Sequence, residues 1–339
     1  MQILGISCGS PNGNSEILLK TALLAAASSS PTVTTSLVSL QSLSLPTPAM
    51  PNDLERSLGL SSPTILASSQ IPDDRPALVD AILHADALII SCPIYTRQPA
   101  GLLKAFTDTA LGPFVDAAFV SRALKQQAAG IARFKDYVKD YVPDERVLKN
   151  RVVGLIAVGG ATCTEWGTLA LPGLQQCVFS LHAKVVDQVI VRGCPFPGSV
   201  LIEGVGAVEL AERVGRSVAS QIGKGYEEAV YLGDEGSCPY CHLDLIVIEG
   251  KGGNGCECGA CGAKGKLEVD CEGRIKPVFE AESGTSVVTW KGKENHMAEI
   301  EKAGRILRPK MGSVKEKKEE FDKMEFGKVE FPSQRVERT

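Results

Sequence analysis

Gln2-Ile-Leu-Gly-Ile-Ser7 runs directly into Cys8-Gly-Ser-Pro-Asn-Gly-Asn-Ser15 and then into the Leu- and Ala-rich stretch 16–27. A short apolar run that ends in a glycine- and hydroxyl-rich loop and opens a helix is the start of a βαβ unit with a buried strand. Leu and Ala give 16–27 its helix propensity. Working outward, Thr32–Leu40 alternates β-branched and polar residues and is expected as the second strand, and Arg75–His84 has helical spacing. Asp86-Ala-Leu-Ile-Ile-Ser-Cys92 is the clearest buried strand. A loop over Pro93–Arg97 and a helix over Pro99–Thr109 follow, with proline in the first turn. Arg151–Val158 and Lys184–Val191 are expected as strands, Thr168–Ala183 and Gly204–Gly223 as helices. This alternation predicts an α/β fold, a doubly wound parallel five-stranded sheet that binds ligands at the carboxyl ends of its strands.

Two insertions interrupt the series. Residues 41–73 carry prolines at 46, 48, 51, 63 and 72, which block regular helix and central strand. Residues 111–150 contain an amphipathic stretch, Val120–Val142, expected to be helical. The hydrophobic share of 44% and charged share of 22% are ordinary for a globular protein. A formal net charge of −4 gives no basic face for nucleic acid. No apolar run reaches the ~18 residues of a membrane span. Ile17–Ala27 lacks a preceding basic region and is interrupted by Lys20, so a secretory leader is not expected and the location is read as cytoplasmic.

Of the 11 cysteines, six crowd into one stretch: Cys238, Cys241, Cys256, Cys258, Cys261 and Cys271. Cys238-Pro-Tyr-Cys241 and Cys258-Gly-Ala-Cys261 are two C-x-x-C knuckles that can close a tetrahedron around Zn²⁺. Strands at Leu243–Ile248 and Gly265–Val269 would complete a small zinc-ribbon-like module. Cys256 could replace Cys258 as ligand, and an iron–sulfur cluster is the rival occupant. The expected organisation is therefore residues 1–230 as the α/β domain, 231–290 as the four-cysteine module and 291–339 as a charged tail, too polar to build a core of its own.

In the loop after the first strand, Gly13 allows a sharp turn, and Ser10, Asn12, Asn14 and Ser15 offer donors to an anion at a helix N-terminus. The same residues also serve as ordinary helix caps. Gly9-Ser-Pro-Asn-Gly-Asn-Ser15 resembles the phosphate loop of the NADPH-dependent FMN reductase and flavodoxin-like flavoprotein family. So does Ser91-Cys-Pro-Ile-Tyr-Thr96 with the following Pro99-Ala-Gly-Leu-Leu-Lys-Ala-Phe-Thr-Asp108, and so does the third loop, Val158-Gly-Gly-Ala-Thr162. The resemblance covers about residues 1–225 and departs from the family pattern at Asn12, where arginine is frequent.

The resemblance implies a flavodoxin-like fold that binds FMN, with Pro93, Ile94, Tyr95 and Thr96 along the ring and ribityl chain and Gly159 and Gly160 at its edge. It further implies an NAD(P)H-dependent FMN oxidoreductase that reduces a small organic acceptor: a quinone, a flavin or a conjugated carbonyl compound. A homodimer or higher homo-oligomer is expected, with no nucleic acid and no membrane partner. A flavodoxin-type electron carrier and a zinc-ribbon interaction scaffold are the alternatives. Flavin chemistry needs no nucleophile. No catalytic residue is assigned, and Glu165, Trp166 and His182 are read as structural.

Overall fold

The computed structural model describes residues 1–45, 72–112, 115–131, 142–250 and 252–327. The chain divides into two compact units, Met1–Glu294 and Asn295–Thr339.

In the first unit the chain runs β1 (Gln2–Ser7), α1 (Asn14–Ser29), β2 (Thr34–Ser39), α2 (Arg75–His84), β3 (Ala87–Tyr95), β4 (Gln98–Pro99), α3 (Gly101–Ala110), α4 (Ala117–Ala128), β5 (Val152–Val158), α5 (Ala170–Gln176), β6 (Lys184–Val191) and α6 (Ala207–Gln221). The main sheet has the order β2-β1-β3-β5-β6, every neighbouring pair parallel. This flavodoxin-like order puts the loops after β1, β3 and β5 at one edge.

Side-chain alternation along the strands builds two cores. Leu4, Ile6, Leu88, Ile90 and Leu155 pack with Leu78 and Ile82 of α2, Phe106 of α3 and Leu174 of α5. Ile3, Ala87, Ile89, Val152 and Ile156 pack with Leu18, Leu19 and Ala22 of α1 and Val214 and Val218 of α6. The second core is tight because α1 and α6 nearly touch: a Cβ on Gly215 would lie 2.0 Å from the Ala22 carbonyl oxygen.

Three expectations change. The loop expected over Pro93–Arg97 is mostly strand: β3 continues to Tyr95, turns through Thr96 (φ 49°) and Arg97 (φ 71°), and returns antiparallel as β4. Two successive left-handed residues make the tight turn that matches strand twist, and a Thr-Arg pair carries no signal for it. The sheet therefore holds five parallel strands and this short sixth one. The helix expected over Thr168–Ala183 stops at Gln176, and a 3₁₀ turn, Phe179–Leu181, leads to His182 at φ 47°. In the second insertion, Asp116 caps α4 by accepting from the Phe119 N–H at 2.9 Å, and Gly130 follows the helix at φ 66°. The rest of the expected helix falls largely on 132–141, and the proline-rich insertion on 46–71, both outside the described residues.

Residues 246–279 form a four-stranded antiparallel sheet of order β10-β9-β8-β7, with β7 Ile246–Ile248, β8 Gly255–Cys258, β9 Lys264–Val269 and β10 Ile275–Phe279. Its interior is small: the four knuckle cysteines with Leu243, Ala260 and Ala263. Helix α7 (Trp290–Leu307), a 3₁₀ segment (Arg308–Ser313) and α8 (Val314–Asp322) complete the chain's described elements. The tail expected to be polar is helical and also exposes Ile300, Leu307, Met311 and Phe321. No helix of the described residues is long and apolar enough to cross a membrane.

Candidate functional site

The first loop is a tight turn closed on itself. Gly13 N–H donates to the Ser10 carbonyl at 3.0 Å, and a Cβ on Gly13 would lie 2.9 Å from that same oxygen. Gly13 is also the N-cap residue of α1, and no side chain caps the helix, so donors of its first turn remain available to an anion. Ser15 is 2% exposed, and its Oγ has no hydrogen-bond partner among the described residues. A buried hydroxyl at an uncapped helix start fits a bound phosphate, the group that would satisfy it.

Asn12 sits at φ 56° and donates its N–H to Glu16 Oε2 at 3.3 Å. Asn14 is committed elsewhere. Its Nδ2 donates to the carbonyls of Cys194 (3.0 Å) and Phe196 (2.9 Å), and its Oδ1 accepts from the Gly198 N–H (2.8 Å). Ser10, Asn12 and Ser15 thus stay at the mouth of the loop, while Asn14 ties it to a fourth loop, 194–199.

The other expected loops converge on the first. A Cβ on Gly9 would stand 3.0 Å from Ser15 Oγ and 3.5 Å from Pro93 Cδ, and one on Gly159 would stand 3.1 Å from Ile94 Cδ1. Gly160 abuts Pro195, where a Cβ would lie 3.1 Å from Cα. A side chain at any of the three would crowd these close approaches, most of all at Gly160, which faces backbone. Ile94, Thr96, Gly159, Gly160, Trp166 and Arg192 line a cleft of about 100 Å³. Tyr95 at the hairpin tip is 58% exposed and Trp166 is 55% exposed, large aromatic surface around an open cleft. Arg97 fixes the segment that carries Trp166, donating from Nε to the Glu165 carbonyl (3.0 Å) and from Nη2 to Thr168 Oγ1 (2.6 Å).

Cys8, just after β1, is not an activated thiol, and Cys92 lies beside it within β3. Hydrogen bonding to Cys92 and then burial push the Cys8 thiol well above its ordinary range, and Cys92 Sγ accepts from the Ala100 N–H at 3.2 Å.

The sequence pattern of the NADPH-dependent FMN reductases matches residues 1–192. The chain belongs to that family. It is accordingly an FMN-dependent oxidoreductase that takes reducing equivalents from NAD(P)H. Two relatives match over nearly their whole length. The chain is 38% identical over 305 residues to the flavone synthase cfoJ of Aspergillus candidus, covering 89% of each. It is 25% identical to a solved flavone reductase, covering 98% of this chain and 100% of that one at a TM-score of 0.74.

Three parts of this candidate site have no simple sequence signal. The Asn14 clamp joins residues far apart in the chain. Arg97 and Arg192 look like any other arginine, yet Arg192 directly follows β6 at the cleft, and its buried Nε has no partner among the described residues. Trp166, expected to be structural, lines the cleft.

The second centre of the FMN reductase is the cysteine cluster. Cys238, Cys241, Cys258 and Cys261 are all buried, and their sulfurs lie within 4.8 Å of one another. Cys238 and Cys261 are 3.7 Å apart, Cys241 and Cys258 3.4 Å. Sulfurs around one tetrahedral ion with 2.3 Å bonds stand about 3.8 Å apart, so the set fits a single ion and is too tight for a multi-iron cluster. Cys258 rather than Cys256 completes the set of four converging sulfurs. Four buried thiol sulfurs gathered this closely suit a cation as their common partner.

Proposed function

We propose that the chain moves an electron pair between NAD(P)H and the conjugated double bond of a planar aryl enone of the flavone type, by way of FMN, and that zinc occupies the cysteine cluster. The observation that carries this is the end-to-end similarity to a flavone reductase, 98% of this chain against 100% of that one. Similarity confined to the flavin domain would not favour one acceptor. The flavone synthase relative supports the same substrate class.

FMN, when bound, accepts a hydride from the nicotinamide and returns it to the acceptor. Ser15 and the first-turn N–H groups of α1 hold its phosphate, with Ser10 and Asn12 as further donors. Pro93–Thr96 and the glycine pair Gly159 and Gly160 give it flat, close walls. Arg192 supplies positive charge beside the negative charge that reduction places on the ring. Trp166 and Tyr95 offer aromatic faces to a planar acceptor. A cleft with such walls supports a substrate-converting enzyme over a pure electron carrier.

The balance is simple. NAD(P)H gives a hydride and solvent a proton, the carbon–carbon double bond becomes single, and NAD(P)⁺ leaves; in reverse, NAD(P)⁺ takes the electron pair from the saturated ketone. None of the 11 cysteines is paired in a disulfide, which supports a reducing, cytoplasmic setting. The exposed apolar side chains of the tail support a homo-oligomer.

The test is an acceptor screen of FMN-loaded protein with NADH or NADPH. Turnover of flavones well above that of simple quinones and free flavin is expected. Quinone turnover without flavone turnover would remove the acceptor assignment and leave the family assignment standing.

A further inference from the structure

Three glutamines join the flavin domain to the cysteine cluster. Gln175, near the end of α5, is buried and donates from Nε2 to the Cys241 carbonyl (2.8 Å) and to Gln188 Oε1 (2.8 Å). Gln188, buried in β6, donates from Nε2 to the same Cys241 carbonyl (2.9 Å) and to that of His242 (3.3 Å). Gln176 donates to the Ala260 carbonyl at 2.7 Å. Consecutive residues of one short helix therefore grip both knuckles. Buried amides are costly to leave unbonded, so these joints stay closed while their acceptors stay in place.

The same helix carries the cleft. The cleft-lining loop 159–169 runs straight into α5. Within the loop, Gly167 makes room for Ile190, a cleft residue two positions beyond Gln188; a Cβ there would lie 2.5 Å from Ile190 Cδ1. Gly173 lets α5 sit against Pro99 of the hairpin, where a Cβ would lie 2.6 Å from Cδ. Leu171 packs against both the main core and the cysteine core. A continuous set of contacts thus runs from the knuckles through α5 to both the hairpin and the loop that wall the cleft.

We propose that the metal-loaded knuckles brace the flavin cleft, with Gln175, Gln176 and Gln188 as positioning residues. The metal is a divalent ion that favours four thiolates, as assigned above, and the brace rests on that assignment. An ion bound to four sulfurs fixes the Cys241 and Ala260 carbonyls in space. The glutamines then hold α5 against the end of β6, and the hairpin and loop 159–169 keep the spacing that FMN needs. When the ion leaves, a core this small cannot hold the knuckles, the acceptors drift, and α5 loses its outer support.

The experiment uses the full chain, its metal content measured first by elemental analysis. FMN affinity is then measured by flavin fluorescence, and hydrogen exchange without FMN, for metal-loaded and chelator-stripped protein. Stripping is expected to weaken FMN binding roughly five- to fifty-fold and to speed exchange at 94–99 and 164–176, with 16–27 unchanged; added zinc restores both. A Gln175→Met and Gln188→Met double variant, which keeps side-chain length and removes the joint, is expected to retain its metal and yet lose FMN affinity. Linkage adds a second readout: FMN tightens equilibrium metal binding in the wild type by the same factor and does not in the double variant. Unchanged FMN affinity and unchanged exchange after stripping would overturn the brace and leave the metal assignment intact. Metal-free protein that already binds FMN and protects 164–176 would overturn both.

Discussion

Between β1 and β6, five strands are covered on both faces by helices, and the interior is aliphatic from edge to edge. In the cysteine module, the interior is four sulfurs, two alanines and Leu243. The first region buries many side chains worth about 1.5–3 kcal/mol each. The second buries almost nothing that could repay the ordering of its backbone, so on the metal assignment proposed above its fold depends on an ion. Two regions of one unit thus have separate sources of stability, and perturbations can address them one at a time.

The largest expected effect is loss of the ion. Cys241→Ser should abolish stoichiometric metal binding and unfold residues 238–279, since structural zinc supplies about 10–16 kcal/mol in small domains. Elemental analysis and hydrogen exchange would show this, with the main sheet still protected. A module that stayed protected without metal would break the comparison. Next comes a perturbation of the large core alone. Gly215→Ala places a methyl 2.0 Å from the Ala22 carbonyl oxygen and should cost about 3 kcal/mol in chemical denaturation without changing metal content.

Smaller again is a change at the cofactor mouth. Ser15→Ala removes a buried donor to the phosphate and should weaken FMN binding by about ten-fold, with little effect on stability, because charge-assisted hydrogen bonds contribute about 1.5 kcal/mol or more. Fluorescence titration and thermal melting would separate the two.

A fourth perturbation sharpens the acid response. Burial first, and then Lys293 and Lys184, hold His182 neutral, its pKa pushed down from 6.5 to about 3. The folded state therefore binds fewer protons than the unfolded chain across that window. The contribution of His182 is fully present above pH 6.5 and is lost as the pH falls towards about 3. A His182→Asn variant should show a flatter fall in Tm over this range than wild type, with the metal-dependent part of the fall unchanged. Equal slopes would remove His182 from the acid response.

The two regions also differ in how far their sequences disclose them. Lys184–Val191 and Arg75–His84 have the boundaries that their apolar patterns predict, because local periodicity and burial agree there. The four cysteines that the fold gathers were legible from spacing alone, since the C-x-x-C pairs imply it. The three loops that converge at one sheet edge were legible by order and motif. What was hidden is non-local. Asn14 looks like a phosphate donor until the fold brings loop 194–199 to it. Gln175 and Gln188 look like ordinary polar positions until the module docks on them. The Thr96–Arg97 turn departs from the usual turn residues, and Arg97 is held there by the Glu165 carbonyl and Thr168.

The most direct test of the central claim is an anaerobic single turnover of the FMN-loaded chain. NAD(P)H should bleach the visible flavin absorption, and one equivalent of flavone should restore it while one equivalent of the two-electron-reduced product forms. Bleaching that flavone does not reverse would contradict the acceptor assignment, and absence of bleaching with either nicotinamide would contradict the oxidoreductase itself.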